Sequence, residues 1–510
     1  MNHPPTSTLP ERATAHAGRL ALNAPEGLFT YAELLAHADS VAERLLSGRS
    51  DLAENRVAFL APPGFRWTAL QWGIWRAGGM AVPLALSNPT REHAWVLDDA
   101  DPELVVADSA LAGGLKEEVV ARGIELRTTD ELVPLGRIPA PTPSLPVLEA
   151  SRRAQVLYTS GTTGRPKGVV ATHGNLEAQM ASLVEAWGWT RDDHTLLVLP
   201  LHHVHGIVNV LGCALRSGAC CSVLEAFEAR RTWEHLARGD LTVFMAVPTI
   251  YQRLLEAWED ATEGERERWS SGARRLRLSV SGSAALPVGT LERWEGVTGQ
   301  RLLERYGMTE IGMALSNPLL GERRPGHVGR PLPRVGVRLV GDQGEVVPEG
   351  SVGEIQVRGP AVFGEYWRRP EETAAAFTLD GWFRTGDVAL VEGGSYRILG
   401  RTSVDIVKSG GEKVSALEVE EVLREHPDVR DCAVVGVADA RWGERVSAAL
   451  VLVPGAEPPT LEGLRDWARE RLAPWKIPAA ILVLEELPRN AMGKVTKPAV
   501  RALFEAAGPG

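Results

Sequence analysis

The chain has 510 residues, of which 44% are hydrophobic and 24% charged. That balance excludes a fibrous, collagen-like or largely disordered protein, and the length allows about three domain-sized units that bury their cores without disulfide or metal staples. Fifty-five Lys and Arg against 65 Asp and Glu leave a net charge of −10, which argues against general nucleic-acid binding.

The first clear element is a helix over residues 29–46. Thr30 and Glu33 have capping-box spacing, and Leu34, Leu35, Ala38, Val41, Ala42 and Leu45 form an apolar stripe. A buried strand from Arg56, a helix from Trp67 to Ala77 and a strand at 81–84 follow. Short apolar runs recur at 103–107, 195–199 and 242–247. Strands alternating with helices imply parallel α/β architecture. Residues 139–146 (Pro-Ala-Pro-Thr-Pro-Ser-Leu-Pro) read as a linker or surface loop. After about residue 326 the texture turns to short alternating strands with Gly turns, at 326–332, 335–340 and 353–359. This predicts a β-rich subdomain. Beyond Arg401, a helix over 415–425, strands at 432–437, 446–453 and 480–484, and a helix over 461–472 predict a small α+β domain. The expected division is therefore residues 1–400, with the β-rich part about 326–398, and residues 401–510.

The cysteines (Cys213, Cys220, Cys221 and Cys432) form no C-x-x-C pair and no disulfide framework, as in a reducing compartment. The N-terminus lacks a basic region followed by an apolar core. The apolar run 204–215 is too short to span a bilayer. A cytoplasmic protein with no membrane and no nucleic-acid partner is expected.

The sharpest segment is Tyr158-Thr-Ser-Gly-Thr-Thr-Gly-Arg-Pro-Lys-Gly, following a predicted strand. Its glycines, Gly161 and Gly164 among them, let successive amides point at one site. Thr159, Ser160, Thr162 and Thr163 add hydroxyls, and Lys167 adds a charge. That combination suits a polyphosphate. It is not a Walker A loop, since Gly168 follows the lysine.

With this loop, the chain resembles the adenylate-forming superfamily of acyl-CoA synthetases, peptide-synthetase adenylation domains and firefly-type luciferases. Five further segments match in order: Leu199-Pro-Leu-His-His-Val-His-Gly, Arg305-Tyr-Gly-Met-Thr-Glu, Trp382-Phe-Arg-Thr-Gly-Asp, Gly400-Arg-Thr-Ser-Val-Asp-Ile-Val-Lys-Ser-Gly-Gly and Pro488-Arg-Asn-Ala-Met-Gly-Lys. The resemblance implies a large N-terminal α/β domain and a small, mobile C-terminal α+β domain. It implies a carboxylate attacking the α-phosphate of ATP, then a thiol such as that of coenzyme A displacing AMP. Lys494 would bridge the carboxylate and α-phosphate. Thr309 would donate to that phosphate, and Glu310 would hold Mg2+. Tyr306 would face adenine, with Asp387 and Arg401 on the ribose. Ser283 and Ala284 would lie in the loop beside adenine and the acyl pocket, with His203 or His205 near that pocket. Ser409, Gly410 and Gly411 would form the coenzyme A face, presented when the C-terminal domain turns about a pivot near Ser403.

The segments from Glu304 and from Leu201 resemble the malonyl-CoA synthetase branch, which implies malonate, or methylmalonate, as the acid. A dicarboxylate needs a cation for its distal charge. Arg305 is the first candidate, unless it pairs with a protein acid such as Glu304; Arg253 and Arg277 are weaker ones. Fatty or aryl acid ligation, oxidative luciferase chemistry, loading of a carrier protein in trans and non-catalytic nucleotide sensing are the competing readings. The sensor reading predicts loss of Lys494 or Glu310, and both are present.

Overall fold

The first predicted helix runs from Tyr31 to Leu46, capped by Thr30, whose hydroxyl accepts from the Glu33 amide while the Glu33 carboxylate accepts from the Thr30 amide. The computed structural model describes residues 8–136, 145–159, 166–439, 441–489 and 495–507. Most of the predicted linker, 139–144, lies outside the described residues.

Two mixed sheets dominate the N-terminal domain. The seven-stranded sheet runs, edge to edge, through Glu365–Tyr366, Lys167–Thr172, Arg153–Thr159, Met80–Pro83, Arg56–Leu60, Leu104–Ala107 and Glu125–Thr128. The nine-stranded sheet runs through Arg330–Pro331, Gly312–Ser316, Leu303–Met308, Leu278–Ser281, Val243–Ala246, His194–Leu197, Cys220–Val223, Leu20–Ala24 and Gly27–Thr30. Their central strands are parallel and buried, which explains why they read as continuous apolar runs. Helices Tyr31–Leu46, Phe65–Arg76 and His173–Trp187 contribute to one core spanning both sheets.

The β-rich part is a four-stranded antiparallel sheet, Gly336–Val340, Gly353–Arg358, Phe383–Glu392 and Ser395–Arg401. The strand expected at 326–332 is not part of it. Arg330–Pro331 joins the edge of the nine-stranded sheet, while Gly329 makes a single antiparallel bridge to Tyr396 of the β-rich sheet. Beside it, the Val328 amide donates to the Tyr396 carbonyl at 2.8 Å, so this segment stitches the two sheets together. The C-terminal domain is a five-stranded sheet (Glu412–Ser415, Ile406–Ser409, Gly443–Leu452, Val429–Asp439 and Ala480–Leu484) packed by helices Ala416–Leu423, Leu461–Arg469 and Lys497–Ala507.

The apolar run after Val204 folds as a buried π-helix, His205–Gly212, continuing into the α-helix Cys213–Ser217. Such wide turns are frequent at functional sites. Among the described residues, no helix is long and apolar enough to cross a membrane. All four cysteines are free thiols.

Candidate active site

Strand Leu303–Met308 carries the centre of the site. Its pairing with Gly312–Ser316 shifts register between Tyr306 and Gly307, and such a bulge re-aims the side chain beside it. The Tyr306 hydroxyl donates to Asp387 Oδ2 at 2.5 Å, and Arg401 Nε donates to Asp387 Oδ1 at 3.0 Å. Asp387 and Arg401 face each other on neighbouring antiparallel strands, so the sheet register itself sets this ion pair. The predicted adenine and ribose residues are thus one hydrogen-bonded unit. Burial, then the Asp387 carboxylate, holds the Tyr306 phenol well above its ordinary pKa.

Thr309 and Glu310 occupy the turn after this strand. Glu310 is buried, and burial raises its pKa; its Oε1 accepts from the Tyr366 hydroxyl at 3.0 Å. Lys167 opens the strand Lys167–Thr172, pairs with Glu372, and stands 5.4 Å from the centre of the Tyr366 ring. Tyr366 therefore connects the expected metal ligand to the expected phosphate lysine. Neither Tyr366 nor Glu372 was identified from sequence. The available signal was the segment Glu365-Tyr-Trp-Arg-Arg-Pro-Glu-Glu, an aromatic pair set among charges. Thr159 ends the strand that feeds the phosphate loop. Ser160, Gly161, Thr162, Thr163, Gly164 and Lys494 lie outside the described residues.

Arg305 points to the other side of the strand and is 2% exposed. Its Nη2 lies 3.3 Å from Ser283 Oγ, which in turn lies 3.2 Å from His205 Nδ1. A Cβ on Gly282 would come within 2.6 Å of the guanidinium carbon, so the backbone there must be glycine for the arginine to fit. Burial alone lowers the Arg305 pKa, to about 9, and among the described residues no carboxylate forms an ion pair with it. Glu304 does not serve. It faces away, accepting from the Leu286 amide at 3.2 Å, and burial pushes its own pKa up to about 8.

The other candidate cations are committed elsewhere. Arg277 is bound to both oxygens of Asp193, at 2.6 and 2.7 Å, and Arg253 lies over the Phe227 ring. His203 packs against His202, with ring centres 4.0 Å apart. Burial, reinforced by His93, drops the His202 pKa to about 4. The other expected histidine, His205, is joined through Ser283 to Arg305. Ala284 follows Ser283 and is exposed. Among the described residues no cluster of three or more His, Cys, Asp or Glu side chains could form a metal cage by itself.

The family model for the AMP-binding enzyme matches residues 9–367, and that for the AMP-binding enzyme C-terminal domain matches residues 418–494. The chain belongs to the AMP-binding enzyme family. It is 44% identical to the mitochondrial malonate–CoA ligase of Xenopus laevis, over 95% of this chain and 90% of that protein. Among solved AMP-binding enzymes, ATP-bound MatB from Rhodopseudomonas palustris is 34% identical, with a TM-score of 0.90 over 99% of this chain and 100% of that one. A malonyl-CoA ligase in a ternary product complex with methylmalonyl-CoA and AMP is 40% identical, yet its TM-score is 0.67 over 95% of this chain and 98% of that one.

In this AMP-binding enzyme the expected coenzyme A residues form a hairpin of the C-terminal domain, Ile406–Ser409 turning through Gly410 and Gly411 into Glu412–Ser415. The Gly410 amide donates to the Trp442 carbonyl at 2.8 Å, and Lys413 on the same hairpin bonds Asp342 of the β-rich sheet at 2.6 Å. Among the described contacts, the hairpin reaches none of Arg305, Ser283, Tyr306 or Asp387. The structure thus joins the expected nucleotide residues Tyr306, Asp387 and Arg401 to one another, and the expected acyl residues Arg305, Ser283 and His205 to one another.

Proposed function

We propose that this enzyme is an ATP-dependent malonate–CoA ligase that also accepts methylmalonate. The observation that carries the choice of acid is Arg305: a buried guanidinium that no carboxylate among the described residues neutralises, with a serine hydroxyl beside it. Leaving such a charge unpaired is costly, and a substrate carboxylate held through two parallel hydrogen bonds would offset that cost. A fatty or aryl acid would leave the charge buried and unanswered. The full-length relatives named for malonate ligation support the same reading.

In this reading Tyr306, Asp387 and Arg401 hold the nucleoside, while Lys167 and the hydroxyls and amides of residues 159–164 hold the phosphates. Ser283 and Ala284 line the junction between adenine and the acyl pocket, with Ser283 on the acyl side beside Arg305 and His205. The near carboxylate of malonate attacks the α-phosphorus, the bond to the β-phosphate bridging oxygen breaks, and pyrophosphate leaves. Thr309 and Lys494 stabilise charge on the α-phosphate. Glu310, a buried carboxylate anchored through one oxygen by Tyr366, offers the hard oxygen donor that suits Mg2+, which would neutralise phosphate charge when bound. The coenzyme A thiolate then attacks the acyl carbon, and AMP leaves.

In this reading Ser409 to Gly411 form the coenzyme A face, which the described contacts do not join to the acyl cluster, and the second step has the domain from about residue 401 turn relative to residues 1–400. The greater likeness to the ATP-bound relative than to the more identical product complex supports that alternation. Four free thiols support a reducing compartment; the cytoplasm is our reading, beside relatives named as mitochondrial.

The deciding experiment is AMP formation with ATP, Mg2+ and coenzyme A against malonate, methylmalonate, succinate, acetate, octanoate and benzoate. Turnover concentrated on malonate and lost in Arg305→Ala supports the proposal. Preference for octanoate or benzoate overturns it and returns Arg305 to a structural role.

A further inference from the structure

Lys497 opens the last helix, yet its side chain is buried, where lysines are rare unless paired. Its Nζ lies 2.6 Å from Asp405 Oδ1 and 2.8 Å from Glu420 Oε1. Burial opposes the charge; Glu420 and then Asp405 more than offset it, so the ammonium titrates above its ordinary range.

The two carboxylates differ in what else they hold. Glu420 is internal to the C-terminal domain: its Oε1 also accepts from the Val434 amide at 2.8 Å, and its Oε2 faces Arg424. Asp405 sits where the domains connect. Its second oxygen, Oδ2, accepts from the Arg401 amide at 3.0 Å, and its own amide donates back to the Arg401 carbonyl at 2.7 Å. Arg401 ends the last strand of the β-rich sheet and binds Asp387. Gly400, at φ +127°, makes room for this turn, since a Cβ there would lie 2.4 Å from that of Asp405. An unbroken set of contacts therefore runs from Asp387 in the nucleotide site through Arg401, Asp405 and Lys497 to Glu420.

We infer that Lys497 is a positioning residue: by gripping one oxygen of Asp405 inside the C-terminal domain it presents the other to Arg401 across the connection, and so latches the domain in the orientation seen here. This rests on the reading that the domain turns between adenylation and thioester formation, with the present orientation serving adenylation. The placement also concerns Lys494, which Lys497 follows by three residues. The segment carrying Lys494 is closed at its base by the bridge between Arg489 and Val495 and by the Thr496 amide donating to the Pro488 carbonyl at 2.8 Å. The ammonium that steadies the connection thus stands one residue beyond the base of that segment. Loosening it frees the domain to leave the adenylation orientation, so adenylation suffers more than transfer.

The test measures the two half-reactions separately in the full-length enzyme: malonate-dependent ATP–pyrophosphate exchange, and malonyl transfer from synthetic malonyl-adenylate to coenzyme A. Lys497→Met and Asp405→Asn are expected to lower exchange about tenfold and transfer less than about twofold. Lys497→Arg, which keeps the charge, should recover at least half of the exchange rate. Glu420→Gln disturbs the same buried cluster without touching the arm to Arg401, and should lower both half-reactions by one common factor. Equal losses in both half-reactions for Asp405→Asn, or a split in Glu420→Gln as large as in Asp405→Asn, would overturn the latch. If Lys497→Met does not fold, Asp405→Asn decides, because Lys497 then still has Glu420. A wild-type enzyme without malonate-dependent exchange would instead refute the malonate reading, and the ratio of half-reactions would be read with whichever acid does support exchange.

Discussion

Tyr306 and Arg305 are neighbours on one strand and meet opposite kinds of surroundings. Tyr306 is tied to Asp387, and Asp387 to Arg401, so the proposed nucleotide side is paired within the protein before any ligand arrives. Among the described residues Arg305 has a serine hydroxyl and no carboxylate beside it. The first arrangement spends its electrostatics on pre-organisation. The second keeps a charge uncompensated, at a cost to folding that only the right acid relieves. With the proposed roles, that difference would let one enzyme treat ATP generically and its acid selectively.

The comparison breaks most decisively at Arg305. Arg305→Met removes the charge and keeps most of the volume. It should cut kcat/KM for malonate by about 100-fold or more, the scale of a lost charged hydrogen-bond pair. It should leave acetate within a few-fold and raise the apo melting temperature by a few degrees, because an unpaired buried charge is gone. A fall in both malonate activity and melting temperature would mark Arg305 as structural instead.

On the neutralised side, Asp387→Asn should raise the KM for ATP about tenfold, equally for malonate and acetate, since it loses a charge-assisted contact that does not sense the acid. An effect confined to one acid would blur the division. Ser283→Ala is expected to be milder: loss of one neutral hydroxyl should raise the KM for malonate about fivefold with little change for ATP.

The smallest effect is on stability alone. The folded-state pKa of Glu304 is raised to about 8, so its contribution is fully present below the ordinary carboxylate range and is lost as pH rises toward 8. Glu304→Gln should therefore melt like the wild type near pH 4 and a few degrees higher near pH 9. Equal melting curves at both ends would show that Glu304 is not held as the neutral acid.

Much of this was legible in the sequence because it is local. The Thr30–Glu33 cap and the first apolar strands of the N-terminal domain stand within a residue or two of where periodicity and spacing put them, whereas Tyr306, Asp387 and Arg401 were marked by the resemblance to family motifs. The opposed directions of Glu304 and Arg305 follow from strand alternation and could have been taken from it. What escaped depends on distant partners. The π-helix at His205–Gly212 shares its apolar pattern with an ordinary helix, so nothing in the run announces the wider turn. Arg330–Pro331 resembled its neighbours in texture but found a different sheet. The partners Tyr366–Glu310, Glu372–Lys167 and Lys497–Asp405 lie 56, 205 and 92 residues apart, and no spacing rule reaches that far.

The alternation along Leu303–Met308 has a consequence for descent. In the proposed assignment successive positions of one strand serve different ligands, so a lineage could rewrite its preference for an acid at one codon while the next, serving the nucleotide, stays untouched. The same economy sets a hazard: an insertion of a single residue in this strand would exchange the two addresses at once, and such a variant should lose both ligands rather than change its taste.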